Sequence, residues 1–155
     1  MQIRLLKHEE SPPYPLLLLA DPSEEIVQNY LQRGTCYIGY NQKEKVMGVY
    51  VLLPTRPHTI EIVNLAVDKS IQGKGYGKQL LIHAIQIAKQ QDYRTVEIGT
   101  ANSSLSQLAL YQKVGFRITS IDTNFFLKHY KQPIYENGIQ AVDMLRLTKD
   151  LAGKT

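Results

Sequence analysis

The sequence predicts an α/β fold, one mixed sheet with helices packed on it. Short stretches rich in β-branched and alternating apolar residues take turns with longer stretches of helical apolar period. Glycine, proline, asparagine and aspartate clusters punctuate them. No repeat, low-complexity tract or linker interrupts the 155 residues, so a single domain over 1–155 is expected.

Gln2 to Leu6 alternates polar and apolar residues, as a first strand does. Ser11-Pro12-Pro13-Tyr14-Pro15 breaks the chain. Asp21-Pro22-Ser23-Glu24 then supplies an N-cap, a first-turn proline and a glutamate for a helix reaching about Arg33, with Gly34 able to close it left-handed. Strands Thr35 to Tyr40 and Val46 to Leu53 flank a polar turn at Asn41 to Lys45. Pro54 and Pro57 mark the next break, and Thr59 to Val67 is a longer strand.

A glycine-rich turn from Gln72 to Gly77 opens a helix whose Leu81, Ala84, Ile85 and Ala88 share one face. Arg94 to Gly99 is a strand. Ser104 with Gln107 reads as a capping box for a helix that stops at Gly115. Phe116 to Ile121 and Val142 to Thr148 complete about seven strands. The connection 122–141, with Phe125, Phe126, Tyr130 and Tyr135, is long and aromatic for an idle loop.

Composition narrows the function. The apolar share of 43% and charged share of 21% are ordinary for a globular chain. Cys36 is the only cysteine, so neither an intramolecular disulfide nor a cysteine metal site forms. His8, His58, His83 and His129 lack metal-ligand spacing, and no metal is expected. Leu16 to Ala20 is too short to cross a bilayer, and Met1 opens a strand-like segment rather than a signal peptide. A cytoplasmic protein without membrane partners is expected. The net charge of +4 is mild, and no arginine-rich or aromatic-basic pattern points to nucleic acid.

The glycine turn is the most informative segment. In Gln72-Gly73-Lys74-Gly75-Tyr76-Gly77-Lys78, alternate glycines let the backbone turn sharply and leave its N–H groups uncovered. The helix that follows adds unpaired N–H groups and the positive end of its dipole, and together these cradle a pyrophosphate. A Walker loop does not fit, because Gln72 stands at its first glycine and Gln79 at its hydroxyl residue. A dinucleotide fingerprint meets Lys78 or Leu80 where its third glycine belongs.

What the run does match is Gln-x-x-Gly-x-Gly, formed by Gln72, Gly75 and Gly77. With its strand, loop and helix in that order, the chain resembles the GNAT superfamily of acetyl-CoA-dependent N-acetyltransferases, over about residues 46 to 117. The resemblance implies a mostly antiparallel sheet, splayed at its central strands, with helices on both faces. It implies that Gln72, Gly73, Lys74, Gly75, Tyr76, Gly77 and Lys78 bind the coenzyme A pyrophosphate. It also implies that the backbone of Leu65, Ala66 and Val67 meets the pantetheine arm and thioester carbonyl, where an uncommitted N–H polarises the carbonyl.

Asn102, a following helix holding Tyr111, and then Gly115-Phe116 are similar to a second motif of the family. By that resemblance Asn102 contacts the cofactor and the Tyr111 hydroxyl approaches its sulfur; packing alone is the other reading of Tyr111. Leu105, Leu108 and Ala109 are read as core.

Acetyl transfer to an alkyl amine requires removal of a proton, because only about one molecule in a thousand is neutral at pH 7. Glu61 matches by position the strand glutamate that serves as base in some members. A surface glutamate, with a water chain as base, is the competing reading. Tyr111 is the acid for the departing thiolate. The expected enzyme is thus an acyltransferase with acetyl-CoA as cosubstrate and direct attack by an amine in a ternary complex. A non-catalytic acetyl-CoA sensor is the alternative. The acceptor, a small-molecule or peptide amine, is not fixed: Asp122, Glu136 and Asp143 are candidate anions for it. The aromatic connection walls that pocket, forms a homodimer contact, or is a satellite cluster.

Overall fold

The computed structural model describes residues 1–151, which divide into two compact units, Met1–Tyr93 and the chain from Arg94 onward. The first unit holds four antiparallel strands in chain order, β1 (Gln2–Leu5), β2 (Thr35–Tyr40), β3 (Val46–Arg56) and β4 (Thr59–Val67). Strand side chains alternate between faces, so β2, β3 and β4 each serve two cores. Helices α1 (Tyr14–Ala20) and α2 (Glu24–Arg33) bring Leu16, Leu17 and Val27 onto one face, against Cys36, Ile38, Val49 and Val51. Helix α3 (Tyr76–Gln90) covers the other, where its Leu80 lies close over Gly48 and its His83 meets Tyr50.

That second face carries a polar tie. The Tyr50 hydroxyl and His83 Nδ1 are 2.7 Å apart, and Tyr37 stacks on Tyr50 at 4.9 Å. Burial holds the Tyr50 phenol well above its usual range and the His83 imidazole below its own. The pair is thus a hydrogen bond between a phenol and a neutral ring, the tautomer of His83 setting which of them donates. On the first face Cys36 is buried and its thiol is pushed up to about 12, which fits a small core residue.

The second unit contains β5 (Thr95–Ala101), α4 (Leu105–Val114), β6 (Arg117–Asp122), α5 (Phe125–His129), a ribbon of β7 (Tyr135–Glu136) and β8 (Ile139–Gln140), and β9 (Met144–Asp150). β9 lies antiparallel between β5 and β6. With four main strands in the first unit and three here, the mixed α/β class and the strand count agree with expectation.

Several local expectations change. The apolar run at residues 16–19 belongs to α1, which begins inside the proline-rich break because Pro15 sits in the first helical turn, where a missing N–H costs nothing. The N-cap of α2 is Ser23, whose Oγ accepts from Ile26 N at 3.3 Å; Asp21 instead ends α1. Gly34 is extended rather than left-handed (φ −107°), and it is needed because a Cβ there would meet Leu52 O at 2.6 Å. β3 runs past Pro54 to Arg56, the register slipping between them, so the break narrows to a turn holding His58 at φ 60°. Leu105 is 49% exposed and Ala109 is exposed, so neither is core.

Candidate active site

In the first unit the glycine turn is tied down at its base and open at its crest. Gln72 Nε2 donates to Val67 O at 3.1 Å, and Asp68 Oδ1 accepts from Ser70 N and Oγ around a 3-10 turn, Lys69–Ile71. These bonds, the Ser70 hydroxyl first, hold the Asp68 carboxyl below its usual range. Gly73 and Gly75 are left-handed, at φ 79° and 88°, and a Cβ on either would meet nothing within 4 Å. Gly75 caps α3 without a side-chain acceptor, and the first helical bond is Gln79 N to Gly75 O. The N–H groups of Tyr76, Gly77 and Lys78 thus lack helical acceptors at the positive end of a 15-residue helix. Lys74 and Lys78 are exposed beside them. This geometry fits a pyrophosphate.

The end of β4 leads into that turn. Leu65, Ala66 and Val67 pair with Tyr50, Val49 and Gly48 of β3. Ala66 and Val67 are buried and Leu65 half-buried, so what they offer a ligand is backbone. Glu61, half-buried, lies opposite Leu53, and cross-strand partners share a face; its face is the one covered by α1 and α2. Between Asn64 and Ile62 the register slips by one residue, leaving Val63 as a bulge. Asn64 is a residue that sequence reasoning passed over: its Nδ2 donates to Leu17 O at 2.9 Å and to the Tyr30 hydroxyl at 2.7 Å. An amide in an apolar strand was the signal. A cavity of ≈ 470 Å³ lies nearby between Met1, Tyr40, Met47, Ile71 and Tyr76. Neither Gly73 nor Gly75 lines it.

In the second unit Asn102 and Tyr111 stand on one construction. Asn102 Oδ1 accepts from Val142 N at 2.8 Å and Asp143 N at 3.1 Å, while its Nδ2 donates to Gln140 O at 3.1 Å. It thereby binds the segment after β8 to the start of α4. Asn137, in the turn of the ribbon, donates Nδ2 to Ser103 O at 2.8 Å. Ser104 is the α4 N-cap, yet its Oγ caps no helical N–H and instead donates to Glu136 Oε1 at 2.5 Å. A carboxylate is a stronger partner than a neutral amide, so the expected capping box does not form.

Two helical turns beyond Ser104, Tyr111 is the buried residue of α4, packed 6.3 Å from the Phe116 ring. Burial first, and the nearby Glu136 carboxylate second, raise its phenol well above the usual range. It stays protonated at neutral pH. Of the connection's four aromatics, Phe125, Phe126 and Tyr130 cluster together, with Arg146 over Phe125 at 5.8 Å, whereas Tyr135 is 64% exposed.

Comparison with known proteins shows the family. Residues 3–116 match the Acetyltransferase (GNAT) family. The chain is 56% identical over 151 residues to the uncharacterized N-acetyltransferase YvbK of Bacillus subtilis, covering 97% of each protein. Among solved structures, a GNAT family acetyltransferase from Elizabethkingia anophelis with acetyl-CoA bound has a TM-score of 0.94 at 47% identity, with 97% of each chain covered. A Bacillus subtilis acetyltransferase in complex with CoA has a TM-score of 0.91 at 56% identity, covering 97% of this chain and 98% of that one. The chain belongs to the GNAT acetyltransferase family and is an acyltransferase. No helix among the described residues is long and apolar enough to cross a membrane.

Proposed function

We infer that the chain, as one catalytic domain, moves the acetyl group of acetyl-CoA onto a primary amine by direct attack in a ternary complex. The observation that carries this is the crest of the glycine turn, with two left-handed glycines, open space above them and a helix N-terminus without side-chain acceptors. The N–H groups of Tyr76, Gly77 and Lys78 take the pyrophosphate, with Lys74 and Lys78 adding charge and Gln72 fixing the turn. The backbone of Leu65, Ala66 and Val67 serves the pantetheine arm. Acetyl-CoA supplies the electrophilic thioester and the thiolate leaving group.

Tyr111 donates its phenolic hydrogen toward the departing sulfur. Its raised pKa makes outright transfer to a thiolate uphill, so the effect is hydrogen-bond stabilisation of charge that develops there. Glu61 is the proposed proton acceptor, directly or through water. Asn102 acts on the site by fixing where α4 begins.

Calorimetry with acetyl-CoA, desulfo-CoA and ATP tests the reading. Saturable binding of acetyl-CoA and of desulfo-CoA, with none of ATP, is expected. A folded chain that ignores acetyl-CoA would overturn it.

A further inference from the structure

Of the three acids that are candidates for an amine, the structure separates one. Asp122 faces the Arg146 guanidinium at 3.3 Å, so its charge is already answered. Asp143 Oδ1 accepts from Asn124 N at 2.8 Å, where α5 begins. Glu136 is held instead by a neutral hydroxyl, Ser104 Oγ, through Oε1. That bond fastens the carboxylate to the face of α4 that also carries Tyr111, since residues two turns apart lie one above the other. Glu136 is half-buried, and in the ribbon it pairs with Ile139, which is 40% exposed. A negative group, an apolar neighbour and a phenol therefore stand together, positioned by the turn at Asn137 and its bond to Ser103.

We propose that Glu136 binds the ammonium group of the acceptor, whose apolar body lies along Ile139, so that the substrate class is a primary amine on an apolar frame. This rests on the acetyltransferase reading above. Ser104 orients the carboxylate through Oε1, and Oε2 takes the cation. Ser104 is then a positioning residue and Glu136 a binding one.

Phenethylamine is the probe, with its acetylation followed by loss of thioester absorbance and acetyl-CoA affinity measured separately. Glu136→Gln is expected to raise the KM for phenethylamine about tenfold or more, with kcat, acetyl-CoA affinity and melting temperature near wild type. Glu136→Asp recovers part of the loss. Ser104→Ala, which keeps the charge but frees it, raises KM a few-fold and covers the case in which Glu136→Gln folds poorly. An unchanged KM in Glu136→Gln overturns the assignment alone. Acetyl-CoA binding by the wild type with no phenethylamine turnover overturns the substrate class. A wild-type chain that does not bind acetyl-CoA removes the acetyltransferase reading and this proposal with it.

Discussion

The glycine turn and the β7–β8 ribbon are built by different means. The turn rests on a unit whose sheet is packed on both faces, with Val49, Tyr50, Val51, Leu80 and Leu81 fully buried. Its crest is shaped by backbone conformation at Gly73 and Gly75, and nothing but loop geometry surrounds it. The ribbon exposes Tyr135 and Ile139 and is held to α4 by side-chain amides and a hydroxyl reaching across more than thirty residues of sequence. A phosphate site made of backbone needs few side chains, so many neighbours can vary. An amine site made of side-chain bonds changes with each of them, which suits the part of an enzyme that chooses its substrate.

The largest effect expected from breaking this contrast is at the crest. Gly75→Val forces a β-branched residue to φ 88° and crowds the N–H groups, costing about 3 kcal/mol or more of acetyl-CoA binding, about a hundredfold in Kd. Calorimetry reads the loss at a temperature where the variant is folded, because the left-handed strain also lowers its melting temperature by a few degrees. Wild-type affinity in that variant would mean the ligand does not approach the turn.

Asn102→Ala comes next, at about 2 kcal/mol of stability, because it removes three bonds and leaves partly buried backbone groups unpaired. Hydrogen exchange should show opening at Val142 and Asp143 with the amides of β3 unaffected. Uniform loss of protection would show that Asn102 matters globally rather than to the segment after β8.

Tyr111→Phe should lower turnover about tenfold, or about 1.4 kcal/mol of barrier, with acetyl-CoA affinity preserved. Equal turnover would leave Tyr111 as packing.

The smallest effect belongs to His83. Its folded pKa is depressed by burial, so the unfolded chain binds more protons between that value and the ordinary one near 6.5. Stability is therefore complete above about pH 6.5 and declines as pH falls through that window. A His83→Gln variant should lose this slope in denaturant melts, and a slope that persists places the titration elsewhere.

Legibility followed the same division. Strands β2 and β4 and the opening of α3 match their patterns, since β-branched runs and glycine punctuation act locally. The ribbon lies inside what reads as one long aromatic connection, although Asn137-Gly138, both at positive φ as a two-residue hairpin turn requires, is a local signal for it. The partnership of Ser104 with Glu136 was not legible, because a serine before a helix looks the same whether it accepts from the helix or donates to a distant carboxylate. Nor does sequence tell that Glu61 shares its face with Leu53, since the bulge at Val63 changes which later residues follow it.

Cys36 has a practical consequence. The chain's one sulfhydryl is shut inside the first unit and hardly ionises below about 12, so electrophilic dyes and disulfide reagents find no native handle on the folded protein. A chromogenic disulfide added to a reaction then counts coenzyme A alone, and a cysteine engineered into the ribbon or the glycine turn becomes a uniquely addressable position for a fluorophore.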